Sequence, residues 1–307
     1  MLRSTLLALS RNEQLRQLVT DAPMSKTLVE RFVAGDRVDE AVRVSRELSD
    51  SGRLITIGRL GEDIDDVEGA RATRDAYLTL LDSLDDAGLG GRAEVSVKLS
   101  ALGRALRVDG EGIARDFAAE ICAKATSVGT TVTLDMEDHT TADSTLTILR
   151  DLRVSYPATG AVLQAALRRT ESDCRDLADT RVRLCKGAYS EPASVAFQDK
   201  RGIDLAYVRC MKILFAGSGY PMLATHDPRL VDIAGALAVS NRRALGTYEF
   251  QMLYGIRPEE QLRLASQGER LRVYLPYGDE WFGYLMRRLL ERPANLLLLA
   301  RLLTSKG

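Results

Sequence analysis

Residues 94–139 read EVSVKLSALGRALRVDGEGIARDFAAEICAKATSVGTTVTLDMEDH. Two short runs with β-branched residues, Glu94–Leu99 and Thr131–Met136, flank a longer amphipathic stretch, Glu111–Val128. Strand, helix, strand in that order implies parallel pairing through a crossover helix. The same rhythm extends outward in both directions. Further strands are predicted at Leu54–Arg59, Ala161–Ala166, Val182–Lys186, Pro221–Thr225, Ala244–Phe250 and Leu271–Leu275. Between them lie helix-like segments at Val67–Ala87, Ser144–Val154, Ser194–Ala216, Arg229–Val239 and Pro258–Ala265, with a short piece near Glu171–Ala178. Eight such units over roughly 230 residues fit a (β/α)8 barrel, whose usual size is about 250 residues. A doubly wound nucleotide-binding sheet would place G-x-G-x-x-G after its first strand. Here Leu60-Gly61-Glu62 follows that strand, and the cluster Gly88-Leu89-Gly90-Gly91 precedes a strand instead. The barrel is the better fit.

Residues 1–50 carry no strand signal. Leu15, Leu18, Val19, Leu28, Val29 and Phe32 recur at roughly helical spacing, which predicts a helical N-terminal arm. The expected division is an arm over 1–50 and a barrel domain over 51–307 that includes a C-terminal helix. The leucine-rich tail Asn295–Leu303 is too short to span a bilayer. With 42 basic and 43 acidic residues the formal net charge is −1, which gives no general attraction to nucleic acid or anionic lipid. Cys122, Cys174, Cys185 and Cys210 are widely spaced without a C-x-x-C pair. That spacing argues against a zinc site or a disulfide framework and suits a reducing cytoplasm. Arg11, Asn12 and Glu13 interrupt the first apolar run, so no signal peptide is expected.

Barrels of this kind do chemistry at the C-terminal ends of their strands. The expected strand ends are polar here: Ser96-Val97-Lys98-Leu99-Ser100, Asp135-Met136-Glu137-Asp138-His139, Gln164, Arg183-Leu184-Cys185-Lys186, Thr225-His226-Asp227, Glu249 with Gln251, and Tyr274 with Tyr277. The stretch Tyr274–Glu291, YLPYGDEWFGYLMRRLLE, is the most informative of these. A helix starting near Asp279 would place Tyr284, Arg287, Arg288 and Glu291 on one face. Guanidinium forks match a carboxylate and keep their charge. So many cations on one rim (Lys98, Arg183, Lys186, Arg287, Arg288) require an anion, either a small acidic substrate or a cofactor pyrophosphate. Asp135 is placed to balance Lys98 in the resting site. The carboxylates around His139 also suit a divalent ion, but no second carboxylate set matches them, and no metal site is expected. A lyase acting on a small carboxylic acid, through a metal or through a Schiff base at Lys98 or Lys186, is the alternative.

In these pieces the chain resembles the monofunctional bacterial proline dehydrogenases, which are FAD-dependent. The resemblance rests on SVKLSAL at 96–102, TLDMED at 133–138, RLCKGAY at 183–189, ATHD at 224–227, YEFQMLYG at 248–255 and the 274–291 stretch. It implies a distorted (β/α)8 TIM barrel whose final helix lies over the strand ends. It implies oxidation of L-proline to Δ1-pyrroline-5-carboxylate, with hydride passing to FAD N5 and electrons onward to a quinone. By motif position, Lys98, Arg287 and Arg288 would hold the proline carboxylate. Tyr189, Tyr274 and Tyr284 would wall the ring, Leu184 and Leu253 would line it, and Asp135 would order the pocket beside Lys98. Gln164, Arg183, Lys186, Gly187, Ala188, Thr225, His226 and Glu291 would hold FAD. A separate pyrroline-5-carboxylate dehydrogenase would act downstream. The expected setting is the cytoplasm, with peripheral contact at the inner face of the cell membrane.

Overall fold

The computed structural model describes residues 28–62 and 64–290, the last two by backbone alone. The expected helical reading of residues 1–27, the C-terminal helix and Glu291 lie outside the described residues. Eight parallel strands close into a barrel in sequence order. They are β1 (Leu54–Arg59), β2 (Ala93–Val97), β3 (Val132–Leu134), β4 (Gly160–Gln164), β5 (Arg181–Cys185), β6 (Tyr220–Ala224), β7 (Glu249–Leu253) and β8 (Leu271–Tyr277). Closure occurs at β1, where Thr56 is in register with Glu94 on one side and Tyr274 on the other.

The helices are α1 (Val38–Asp50), α2 (Val67–Asp86), α3 (Gly110–Ser127), α4 (Ala142–Ser155), α5 (Thr170–Asp176), α6 (Lys200–Ala216), α7 (Pro228–Ser240), α8 (Pro258–Ser266) and α9 (Trp281–Leu290). Side-chain caps fix several starts: Asp66 accepts from Gly69 N at 2.7 Å and Asp199 from Gly202 N at 2.8 Å. The second cap explains why α6 begins later than the expected Ser194. The chain before it runs across to β4's exit, where Phe197 N donates to Ala166 O at 2.8 Å. That donor is therefore lost to the first intrahelical bond that a helix beginning at Ser194 would need.

Two placements decide where a site can form. Helix α1 stands in the outer layer against β1, β8 and α2, and its Ala41, Val44 and Leu48 join the main core. The chain after β8 turns at Gly278, with φ 119°, and α9 crosses the rim. Phe282, Tyr284, Leu285 and Met286 of α9 pack on Leu60, just past β1, and on Leu28, Phe32 and Val33. These apolar contacts, each large side chain worth about 1.5–3 kcal/mol when fully buried, hold the helix over the strand ends. The helix starts at Trp281, two residues after the expected Asp279, which lies in the preceding turn.

The barrel interior is ionic, where such barrels commonly stack branched apolar side chains. Glu94 accepts from Thr56 Oγ1 at 2.7 Å, Arg181 Nη2 at 2.9 Å and Arg183 Nη2 at 3.1 Å. Glu249 accepts from Arg272 Nε and Gln251 Nε2 at 2.7 and 2.6 Å. The sequence expectation for the seventh strand, Ala244–Phe250, ran too early, because residues 244–247 form a turn closed by Thr247 N to Ala244 O at 3.1 Å. Glu249 therefore opens β7 deep in the barrel instead of ending it at the rim.

Candidate active site

A carboxylate bridges two cations beneath α9. Glu62, in the loop after β1, accepts from Lys98 Nζ at 2.6 Å through Oε2 and from Arg287 Nη1 at 3.3 Å through Oε1. Partial burial would raise the Glu62 carboxyl, but Lys98 and Arg287 outweigh it and hold the group below its ordinary range. Arg288 stacks on its own helix, its guanidinium 5.3 Å from the centre of the Tyr284 ring. Lys98, Arg287, Arg288 and Tyr284 are thus gathered by the exit of β2 and by α9. The expected ion pair of Lys98 with Asp135 is replaced by the pair with Glu62.

Asp135 instead faces the barrel mouth. Its Oδ1 accepts from Ser96 Oγ at 2.7 Å and Arg183 Nη1 at 3.0 Å, and its Oδ2 from the Tyr274 hydroxyl at 3.3 Å. The Arg183 guanidinium lies 5.4 Å from the Tyr274 ring centre. Burial pushes the Tyr274 hydroxyl well above its ordinary value, and Asp135 adds to that, so the phenol stays protonated and donates. The ring has room because β1 carries Gly58. A Cβ there would stand 2.8 Å from Tyr274 Cζ.

The residues expected to hold a cofactor form an arc on the exits of β4, β5 and β6. Gln164 is buried and its Nε2 donates to Glu137 O at 2.6 Å. Arg183 is 4% exposed, with Nε on Gln251 Oε1 at 2.6 Å, and points into the barrel mouth. Lys186 pairs with Asp204 at 2.5 Å and Asp227 at 3.4 Å, and Lys200 and Arg229 join the same two carboxylates. Asp227 is held far below the usual range, chiefly by its hydrogen bond from Arg229. Thr225 Oγ1 accepts from Asp227 N at 3.1 Å. His226 Nε2 accepts from Leu253 N at 3.0 Å, so that ring nitrogen is unprotonated. Gly187 takes φ 108°, and a Cβ there would meet Gln164 Oε1 at 3.1 Å. Ala188 follows it on the exposed loop. A cradle without a Cβ, a buried amide and guanidinium, and three cations on the outer side fit a dinucleotide with a polar ring system and a pyrophosphate.

Tyr189 is on the same loop and 42% exposed. Its hydroxyl is raised by partial burial and by the Glu137, Glu62 and Asp135 carboxylates, with Arg287 opposing, which places it in the field of the site. Leu253 ends β7 half-buried at the rim. Leu184 is not brought to the pocket. It alternates with Arg183, is fully buried in the main core, and its carbonyl accepts from Tyr207 of α6 at 2.9 Å. The acidic group near His139 disperses: Glu137 pairs with Arg104 at 2.9 Å, Asp138 caps the next turn through Thr140 N at 2.8 Å, and His139 pairs with Glu191. Glu62 and Gly58 were missed from sequence. Leu60-Gly61-Glu62 was read only for its lack of a phosphate loop, and no periodicity marks a glycine under a ring.

The model of the proline dehydrogenase family matches residues 41–300. Proline dehydrogenase 1 of Bacillus subtilis (strain 168) is 38% identical over 96% of this chain and 96% of its own length. Proline dehydrogenase of Deinococcus radiodurans is 37% identical over 95% of this chain and 94% of its own. A crystal structure of proline utilization A from Bdellovibrio bacteriovorus, inactivated by N-propargylglycine, superposes with TM-score 0.81 at 25% identity. The match covers 87% of this chain and 33% of that one. The barrel, its rim-crossing helix and these matches define a flavin-linked oxidoreductase of amino acids. The chain belongs to the proline dehydrogenase family, and the lyase alternative is left without support.

Proposed function

We propose that this protein oxidises L-proline to Δ1-pyrroline-5-carboxylate with FAD as its cofactor, and that the electrons pass on to a quinone. The observation that carries the reading is the Glu62 carboxylate seated between Lys98 and Arg287. It marks the space beneath α9 as one that takes a carboxylate, and a proline carboxylate would compete for the same donors, joined by Arg288. Gripping the carboxylate fixes the ring without involving the atoms that react. Tyr274, held by Asp135, would wall the ring together with Tyr284, Tyr189 and Leu253. Cations in excess favour the neutral amine, from which hydride loss is easier. FAD, when bound, supplies the hydride acceptor; Gln164, Arg183, Lys186, Gly187, Ala188, Thr225 and His226 would hold it.

These residues all fall within 51–307, the span assigned to the catalytic barrel domain, and the 1–50 arm would pack against it. The product would pass to a pyrroline-5-carboxylate dehydrogenase, and a membrane quinone would require peripheral contact with the inner face of the cell membrane from the cytoplasm. Among the described residues no helix is long and apolar enough to cross a membrane. The test is proline-dependent reduction of a redox dye by the purified protein. Turnover with L-proline supports the reading, and a flavin-loaded protein inert towards proline refutes it.

A further inference from the structure

The barrel has a second polar opening at its other end. A cavity of about 510 Å³ lies below the N-terminal ends of β1, β2, β5 and β8. Its lining residues include Arg92, Arg181, Arg270 and Arg272 together with Glu94 and Glu269. Arg272 is committed to Glu249. Arg92 and Arg270 form no ion pair among the described residues. Arg92 donates to Ser49 Oγ and Ser49 O at 3.2 and 3.0 Å, and Arg270 donates to the Tyr220 hydroxyl at 3.3 Å. Arg181 stacks on that same tyrosine, 4.8 Å from the ring centre. Its Nη2 reaches Glu94, but its Nε is buried without a hydrogen-bond partner. Two guanidiniums drawn to one tyrosine repel each other. The mouth offers room, since a Cβ on Gly91 would meet nothing within 4 Å.

We infer that this cavity binds a phosphate group, either free or as the head of a small phosphorylated metabolite. A dianion there would give Arg92 and Arg270 the counter-charge they lack. The site lies at the opposite end of the barrel from the proposed proline pocket and does not depend on that reading.

The test uses the flavin-loaded protein, so that the cofactor's own phosphate positions are filled. Thermal unfolding is followed with inorganic phosphate, with glycerol 3-phosphate, and with chloride at matched ionic strength. Phosphate at roughly ten times its Kd should raise Tm by about 2–4 °C over chloride. A larger shift with glycerol 3-phosphate identifies a metabolite head group; an equal one identifies free phosphate. Arg270→Gln should weaken phosphate binding at least about tenfold by calorimetry, a single charge-assisted bond being worth about 1.5–3 kcal/mol. Gly91→Asp, which tethers a carboxylate at the mouth, should abolish the phosphate shift. Both variants should keep proline turnover. A phosphate effect no larger than that of chloride, or one that survives undiminished in both variants, overturns the inference.

Discussion

The Glu62 carboxylate lies 2.6 Å from the Lys98 ammonium, a pair formed between the loop after β1 and the exit of β2. With Arg287 on the carboxylate's other oxygen, the arrangement closes α9 onto the barrel rim through charge as well as through its apolar face. If the same cations grip the substrate, then removing one should weaken binding more than turnover. Lys98→Met and Arg288→Met should each lose about 1.5–3 kcal/mol of carboxylate binding, a rise in KM of roughly 10- to 150-fold with kcat much less changed. Steady-state kinetics with proline measure this, and wild-type KM in both variants would exclude the grip.

Gly58 should be irreplaceable at the mouth. An alanine there drives its Cβ into the Tyr274 ring and separates the phenol from Asp135. Overpacking of this kind costs about 1–3 kcal/mol, and the expected result is at least a tenfold loss of kcat/KM in a protein that still folds and binds flavin. Kinetics beside circular dichroism would show it.

Tyr274 should also set the substrate. Its ring is pinned by Asp135 on one side and Arg183 on the other, so it cannot yield to a larger ligand. Wild-type protein should prefer L-proline over trans-4-hydroxyproline, and Tyr274→Ser should narrow the ratio of the two kcat/KM values. An unchanged ratio would remove the tyrosine from the specificity argument.

Glu94 should matter for stability in acid. The carboxylate is buried; burial alone would raise its pKa, but Arg272, Arg181 and Arg183 together bring it well below the ordinary value. A depressed folded pKa contributes stability that is present above the unfolded value of about 4.3 and is lost as pH falls towards the folded one. Glu94→Gln leaves guanidiniums buried without their counter-charge, at a cost of about 3–5 kcal/mol. The variant should melt lower at neutral pH and lose part of the wild type's decline in stability below about pH 4. Urea unfolding from pH 3 to 7 would reveal a parallel decline if Glu94 were not the group responsible.

The strand and helix order was legible because each strand buries an apolar outer face against helices, and that face leaves a pattern. Leu54–Arg59 was located to the residue. The inward faces were harder. Glu249 reads as a strand-end residue, Glu94, Arg181 and Arg272 draw no reading of their own, and only the closed barrel shows that the four neutralise one another. The β7 register failed because a turn stabilised by Thr247 precedes Glu249, and β-branched composition does not separate a turn from a strand start. The Lys98, Arg287 and Tyr284 grouping came from motif and helix phase. Glu62 did not, because a loop carboxylate acquires its meaning from partners 36 and 225 residues away.

Oxidation by this chain requires proline to reach a flavin beneath α9. Anaerobic addition of L-proline to the purified protein, followed through the visible flavin absorption band, tests this directly. The band should bleach in wild type with L-proline, and in Arg288→Met only at much higher concentrations. A flavin spectrum unmoved by saturating proline, or no bound flavin at all, would contradict the proposed oxidation.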